Sequence, residues 1–107
     1  MNTLRFETLT LTATDKDSSP ATVSGKTGSF GGPIISYGAA LAGWELGYTS
    51  DDHHLRRVTA RIVNVSLDPS DPTKVMVEAS LGINDKNSDD RWSGSVDIQV
   101  TAFVAQS

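Results

Sequence analysis

Apolar and polar residues alternate with a period of two along most of the chain, and no convincing helical periodicity interrupts them. From Leu4 to Ala13, Leu4, Phe6, Thr8, Thr10 and Thr12 fall on one face and Arg5, Glu7, Leu9, Leu11 and Ala13 on the other. This predicts a strand, stiffened by its β-branched threonines. Asp15 to Pro33 is rich in Asp, Ser, Thr, Gly and Pro, which predicts a long loop or loose hairpin. Within it Ala21-Thr22-Val23 suits a short edge strand, and the Phe30 ring is expected to tuck under the loop. Ile34 to Tyr37 opens the next apolar segment. Gly38 to Gly43 then supplies small residues where the backbone can bulge, and Trp44, Leu46 and Tyr48 share one face of a half-buried strand. A short helix over Gly38 to Ala42 competes, but its brevity and the bracketing glycines weigh against it.

The polar run Ser50-Asp51-Asp52-His53-His54 reads as a tight connection. In the segment that follows, Val58, Ala60 and Ile62 must face the core, because the opposite face begins with charged residues. Towards Leu67 both faces are apolar, so the strand is expected to run from a sheet edge into the interior. Asp68-Pro69-Ser70-Asp71-Pro72 ends it, and Val75, Val77, Ala79 and Leu81 alternate with Met76, Glu78 and Ser80 to complete a hairpin. Gly82 to Gly94 reads as a second polar loop. The final strand, Ser95 to Ala105, places Val96, Ile98, Val100, Ala102 and Val104 inward. The fold class expected is all-β, an antiparallel β-sandwich of about six strands in one domain over residues 1–107.

Composition narrows the function classes. A chain of 107 residues can build one two-layer core. The absence of cysteine excludes disulfides and thiolate metal sites and fits a reducing compartment. Neither a signal peptide nor an apolar run long enough to span a bilayer can be read from the sequence. The expectation is therefore a protein that is cytoplasmic or released without a signal peptide, with no membrane insertion. The net charge of −4 argues against nucleic acid as a partner.

Three clusters carry candidate chemistry. Asp51, Asp52, His53 and His54 could hold a metal or run acid-base chemistry, but neighbouring residues in a strand point to opposite faces, so a structural role is preferred. With Trp44 and Tyr48, His53 and His54 are candidates for a subunit interface. Asn84, Asp85, Asn87, Asp89 and Asp90 resemble an oxygen-ligand loop. They lack the central glycine and closing glutamate of an EF-hand, which leaves a polar turn as the favoured reading and calcium as the one cofactor to consider. Trp92, beside Asp89, Asp90 and Arg91, combines an indole face for stacking with groups that pair with hydroxyls, a set suited to carbohydrate. The plainer alternative is that Trp92 covers the end of the core. Asn64-Val65-Ser66 fits a glycosylation sequon inside a predicted strand and is read as accidental. No phosphate loop or nucleophile constellation can be assembled, so no enzymatic activity is expected.

The segment Leu55-Arg56-Arg57-Val58-Thr59-Ala60-Arg61-Ile62-Val63-Asn64-Val65-Ser66, with the closing Ile98-Gln99-Val100-Thr101-Ala102-Phe103-Val104-Ala105, resembles the H-type lectin domain over roughly the C-terminal half. The resemblance implies a six-stranded antiparallel sandwich that forms trimers or hexamers and binds N-acetylgalactosamine-type sugars at subunit boundaries. Its aromatic-bearing loop before the last strand corresponds to Asp89, Asp90, Arg91 and Trp92. Asp68 to Pro72 stands where that family has a Gly-Phe turn, and Gly47 to Leu55 falls outside its signature, which points to a bacterial or phage-associated branch. The function expected is a carbohydrate-binding module acting as a symmetric oligomer. The alternative is a structural self-assembly subunit, in a phage or other particle, without sugar binding.

Overall fold

In a computed structural model, residues 2–48, 57–84 and 91–105 are described below. They form six strands: β1 (Thr3–Lys16), β2 (Ala21–Lys26), β3 (Ile34–Tyr48), β4 (Arg57–Asp68), β5 (Asp71–Asn84) and β6 (Trp92–Val104). Two antiparallel three-stranded sheets result, ordered β1-β6-β3 and β2-β5-β4, with β6 and β5 in the central positions. No helix among the described residues is long and apolar enough to cross a membrane.

Strand periodicity decides what is buried. In β6, Val96, Ile98, Val100, Ala102 and Val104 are completely covered, and in β5 Val75, Val77, Ala79 and Leu81 are as well. These two rows belong to one core cluster, completed by Leu11 and Ala13 of β1, Phe30, Ile34, Ile83 and Trp92. A central strand has a neighbour on each side and a sheet beneath it, so its inward side chains lose nearly all contact with water. Burying each Val or Ile in this way stabilises the fold by roughly 1.5–3 kcal/mol.

The structure departs from the sequence reading at β3, β4, β5 and β6. The segment Ile34 to Tyr48 is a single strand of 15 residues, not an apolar stretch plus a separate strand or helix. The small residues are used for a bulge between Leu41 and Gly43, and a second irregularity lies between Ile34 and Ser36. β4 does not run into the interior. It is an edge strand throughout, and its two apolar faces arise from a bulge between Ile62 and Asn64 that moves the inward set from Val58, Ala60 and Ile62 to Val65 and Leu67. Both strands flanking the second polar loop are longer than expected, since β5 extends to Asn84 and β6 begins at Trp92.

The segment from Thr27 to Phe30 behaves as anticipated for a tucked loop. Phe30 is 3% exposed, and its N–H donates to the Thr73 carbonyl at 2.8 Å. Thr27, also buried, accepts a hydrogen bond from the Val75 N–H at 3.1 Å and donates to the Gly28 carbonyl at 2.8 Å. The β4–β5 turn is held by its aspartates. Asp68 accepts from the Ser70 N–H and hydroxyl at 3.0 and 2.9 Å, and Asp71 accepts from the Thr73 N–H and hydroxyl at 2.9 and 2.6 Å. These are local side-chain-to-backbone bonds of the kind that fix a turn.

Candidate functional site

Trp92 is not displayed for stacking. It is the first residue of β6, paired with Lys16 on one side and Tyr48 on the other, and it is 0% exposed. Its indole N–H donates to the Ser18 carbonyl at 2.8 Å, the partner a buried tryptophan needs. The ring therefore closes one end of the core. Arg91, the neighbouring member of the expected sugar set, is exposed and bound to Asp15. Its Nε lies 2.8 Å from Asp15 Oδ1, and its Nη2 lies 2.7 Å from the Asp15 carbonyl oxygen and 3.2 Å from Oδ2. The side-chain bond and charge of Asp15 hold the guanidinium pKa above its ordinary value. Asp15 reaches this position from the left-handed backbone region at φ 47°, which aspartate tolerates better than most residues, within the irregular end of β1. Asp89 and Asp90 lie outside the described residues, as do Asp51, Asp52, His53 and His54, and the Asp85–Asp90 part of the calcium-like loop. Among the described residues no group of three or more metal-ligating side chains converges.

A shallow groove of about 410 Å³ opens beside this cluster, lined by Thr12, Thr14, Glu45, Tyr48, Ser93 and Ser95 among others. On the core side of the strand beneath it, a Cβ on Gly94 would run into the Leu46 side chain and stand 2.8 Å from the Glu45 carbonyl oxygen, so glycine lets β3 and β6 pack closely there. Ser93 ties the groove to the ion pair by accepting the Asp15 N–H at 2.9 Å. The lining thus combines five hydroxyl-bearing side chains and one carboxylate with the apolar surface of Ala13, Leu46, Gly47 and Gly94. Alternation alone gave no hint of it, since these residues converge only through the register of β1, β6 and β3.

The second feature is a row of exposed apolar side chains. Of the residues expected at an interface, Trp44 is 56% exposed, whereas Tyr48 is half-buried against the core. Tyr37 and Leu41 join Trp44 on the same strand, and Val58 and Val63 are exposed on β4, which contacts β3 between the two sheets. Tyr37, Leu41 and Trp44 register with Ala102, Ile98 and Val96, so they lie on the core side of the sheet. They remain exposed because β3 is an edge. Leu4, Phe6 and Phe103 form a separate exposed group, with Leu4 directly opposite Phe103 on β1 and β6.

Edge strands normally carry devices against further pairing, such as charge, proline or brevity. β1 has Arg5 and Glu7 on its core side, opposite Ala102 and Val100. Both are engaged, since Arg5 Nη1 donates to the Phe30 carbonyl at 3.0 Å and Glu7 Oε1 accepts the Gly28 N–H at 2.7 Å. β2 is only 6 residues long, and β4 carries exposed Arg57 and Arg61. β3 has 15 residues, no proline, and Glu45 as its one charge. No protein-family profile, curated protein or solved structure matches the chain.

Proposed function

We propose that the protein is a non-enzymatic assembly subunit, a β-sandwich that self-associates by antiparallel pairing of β3 with β3 of a second copy. The observation that carries this reading is the unguarded length of β3. Pairing satisfies its outward N–H and C=O groups by adding a strand, and a strand that pairs antiparallel with itself generates a closed two-fold dimer. The exposed parts of Tyr37, Leu41, Trp44, Val58 and Val63 come to roughly 400 Å², about half of the ~800 Å² per partner in an ordinary stable interface. Main-chain atoms and polar neighbours along a strand of 15 residues would supply the remainder.

A two-fold pairing gives an even-numbered oligomer. The hexamer expected from the H-type lectin resemblance is one such form, and an isolated trimer is not. Light scattering over a concentration series is the test: association to twice 11.4 kDa or an even multiple is expected, and a mass of 11.4 kDa at every concentration would end the proposal.

A second reading, carbohydrate binding of a lectin-like kind, is favoured by the hydroxyl-lined groove with Glu45. Hydroxyls and a carboxylate can pair with a saccharide's own hydroxyls without an exposed indole, and the groove adjoins β3, the proposed subunit boundary. Oligomerisation would strengthen weak sites by avidity. A glycan array that stays blank, or binding unaltered by Glu45→Gln and Ser95→Ala, removes this reading and leaves the assembly reading standing.

A further inference from the structure

The outer face of the β2-β5-β4 sheet holds a second constellation, independent of β3. Arg57, Thr59 and Arg61 occupy alternate positions of β4, in register with Asn84, Gly82 and Ser80 of β5. Both arginines are exposed, and neither forms an ion pair with a described carboxylate. Glu78, the next outward position on β5, instead accepts the Asn64 side-chain amide at 3.4 Å. Two guanidinia without a described ion-pair partner stand out in a chain with thirteen acidic and nine basic residues.

The rest of the fold turns this row into a cleft. The Ser19–Pro20 segment lies directly on Gly82, where an added Cβ would stand 2.8 Å from the Pro20 Cα. Glycine is needed there for the backbone to approach this closely. Pro20 forms one wall and the arginine row the other of a cleft of about 440 Å³, lined also by Thr59 and Ser80. Ser80 is 7% exposed, and its hydroxyl has no hydrogen-bond partner among the described residues. A buried polar group left unsatisfied is unfavourable unless something occupies the space before it.

We propose that this cleft binds a phosphate or sulfate group. The polar side chains facing it can all donate: two guanidinium forks and the hydroxyls of Thr59 and Ser80, which matches an acceptor with several oxygens and negative charge. The arginine Cα atoms are about 13 Å apart along the strand, a distance two extended side chains can bridge by leaning over Thr59 from either side. Ser80 supplies a donor at the base. The ligand is either the free ion or the same group carried as an ester on a larger molecule, whose body would rest against Pro20.

The test is a titration of the isotope-labelled protein with inorganic phosphate, glucose 6-phosphate and glucose 6-sulfate, each against sodium chloride at equal ionic strength, read from backbone amide shifts. Saturable shifts at Thr59, Arg61, Ser80 and Gly82, absent with chloride, are expected with at least one of the three ligands. Tighter binding of the esters identifies an esterified group, and equal or tighter binding of phosphate identifies the free ion. Arg57→Gln and Arg61→Gln should each weaken binding about tenfold or more. Arg61→Lys should restore only part of the loss, because lysine keeps the charge and lacks the fork. Ser80→Ala should weaken binding several-fold. Non-saturable shifts scattered over Lys26, Lys74 and Arg91, or saturable binding unchanged in the Arg57→Gln/Arg61→Gln variant with a wild-type spectrum elsewhere, would overturn the assignment.

Discussion

β1 and β3 flank the same central strand, have nearly equal lengths of 14 and 15 residues, and treat their free edges in opposite ways. β1 places Arg5 and Glu7 on its core side and uses them to hold the Gly28–Phe30 segment against itself. β3 places Tyr37, Leu41 and Trp44 at the equivalent depth and leaves each at least 40% exposed. An inward charge on an edge strand makes a second strand unfavourable there, while an apolar row without charge or proline favours one. The difference assigns the two edges different tasks. β1 is covered by its own chain, and β3, on the proposed assembly reading, is the edge left for a second copy.

The contrast is most severely disturbed at Trp92, which pairs with both edges. Trp92→Ala should destabilise the fold by about 3–5 kcal/mol in denaturant melts, as expected for a fully buried aromatic. A loss below about 1 kcal/mol, the ordinary range for an exposed site, would contradict its core placement. The cover over β1 is tested next by Thr27→Val, which leaves the Val75 N–H without its acceptor. That change should lower stability by about 1–3 kcal/mol and make the Gly28 amide exchange faster.

A third prediction concerns acid stability at the β4–β5 turn. Bonds from the Ser70 N–H and hydroxyl hold the Asp68 carboxyl below its usual range, with Lys26 assisting, and the Thr73 hydroxyl and N–H do the same for Asp71. A carboxylate with a depressed folded pKa stabilises the protein fully above its unfolded value, about 3.9, and that contribution is lost as pH falls through the folded pKa. The melting temperature should therefore fall below about pH 4, and Asp68→Asn/Asp71→Asn should flatten that fall. An unchanged acid limb in the variant would show that other groups control it. The smallest effect on stability belongs to Trp44→Ser, expected within about 0.5–1 kcal/mol in the dilute subunit, with a clear loss of association in sedimentation at higher concentration.

Much of the fold was legible because alternation is a direct record of one covered face. The inward sets of β6 and β5 follow from it, while the edge strand at Ala21-Thr22-Val23, the tucked Phe30 and the β4–β5 turn were read from the turn-forming residues around them. The bulges were harder to read. A single unpaired residue near Val63 exchanges faces, and the sequence pattern resembled burial on both sides. Trp92 misled for a related reason, since the polar residues before it suggested a loop tip while its own register belonged to the strand. Exposure along β3 was legible only in part: Trp44 was expected at an interface, but alternation names the face of a side chain and not how many strands lie beside it. The groove and the arginine cleft depend on cross-strand register and on glycine approaches, neither of which a local pattern encodes.

The most direct test of the open edge is residue-resolved amide hydrogen exchange along β3 at high and low protein concentration. In an edge strand alternate N–H groups point away from the sheet, and pairing should protect them. The account predicts that alternate amides between Ile34 and Tyr48 exchange slowly when the protein is concentrated and quickly on dilution, while the β6 amides stay protected at both concentrations. Alternate β3 amides that exchange quickly at every concentration would contradict it.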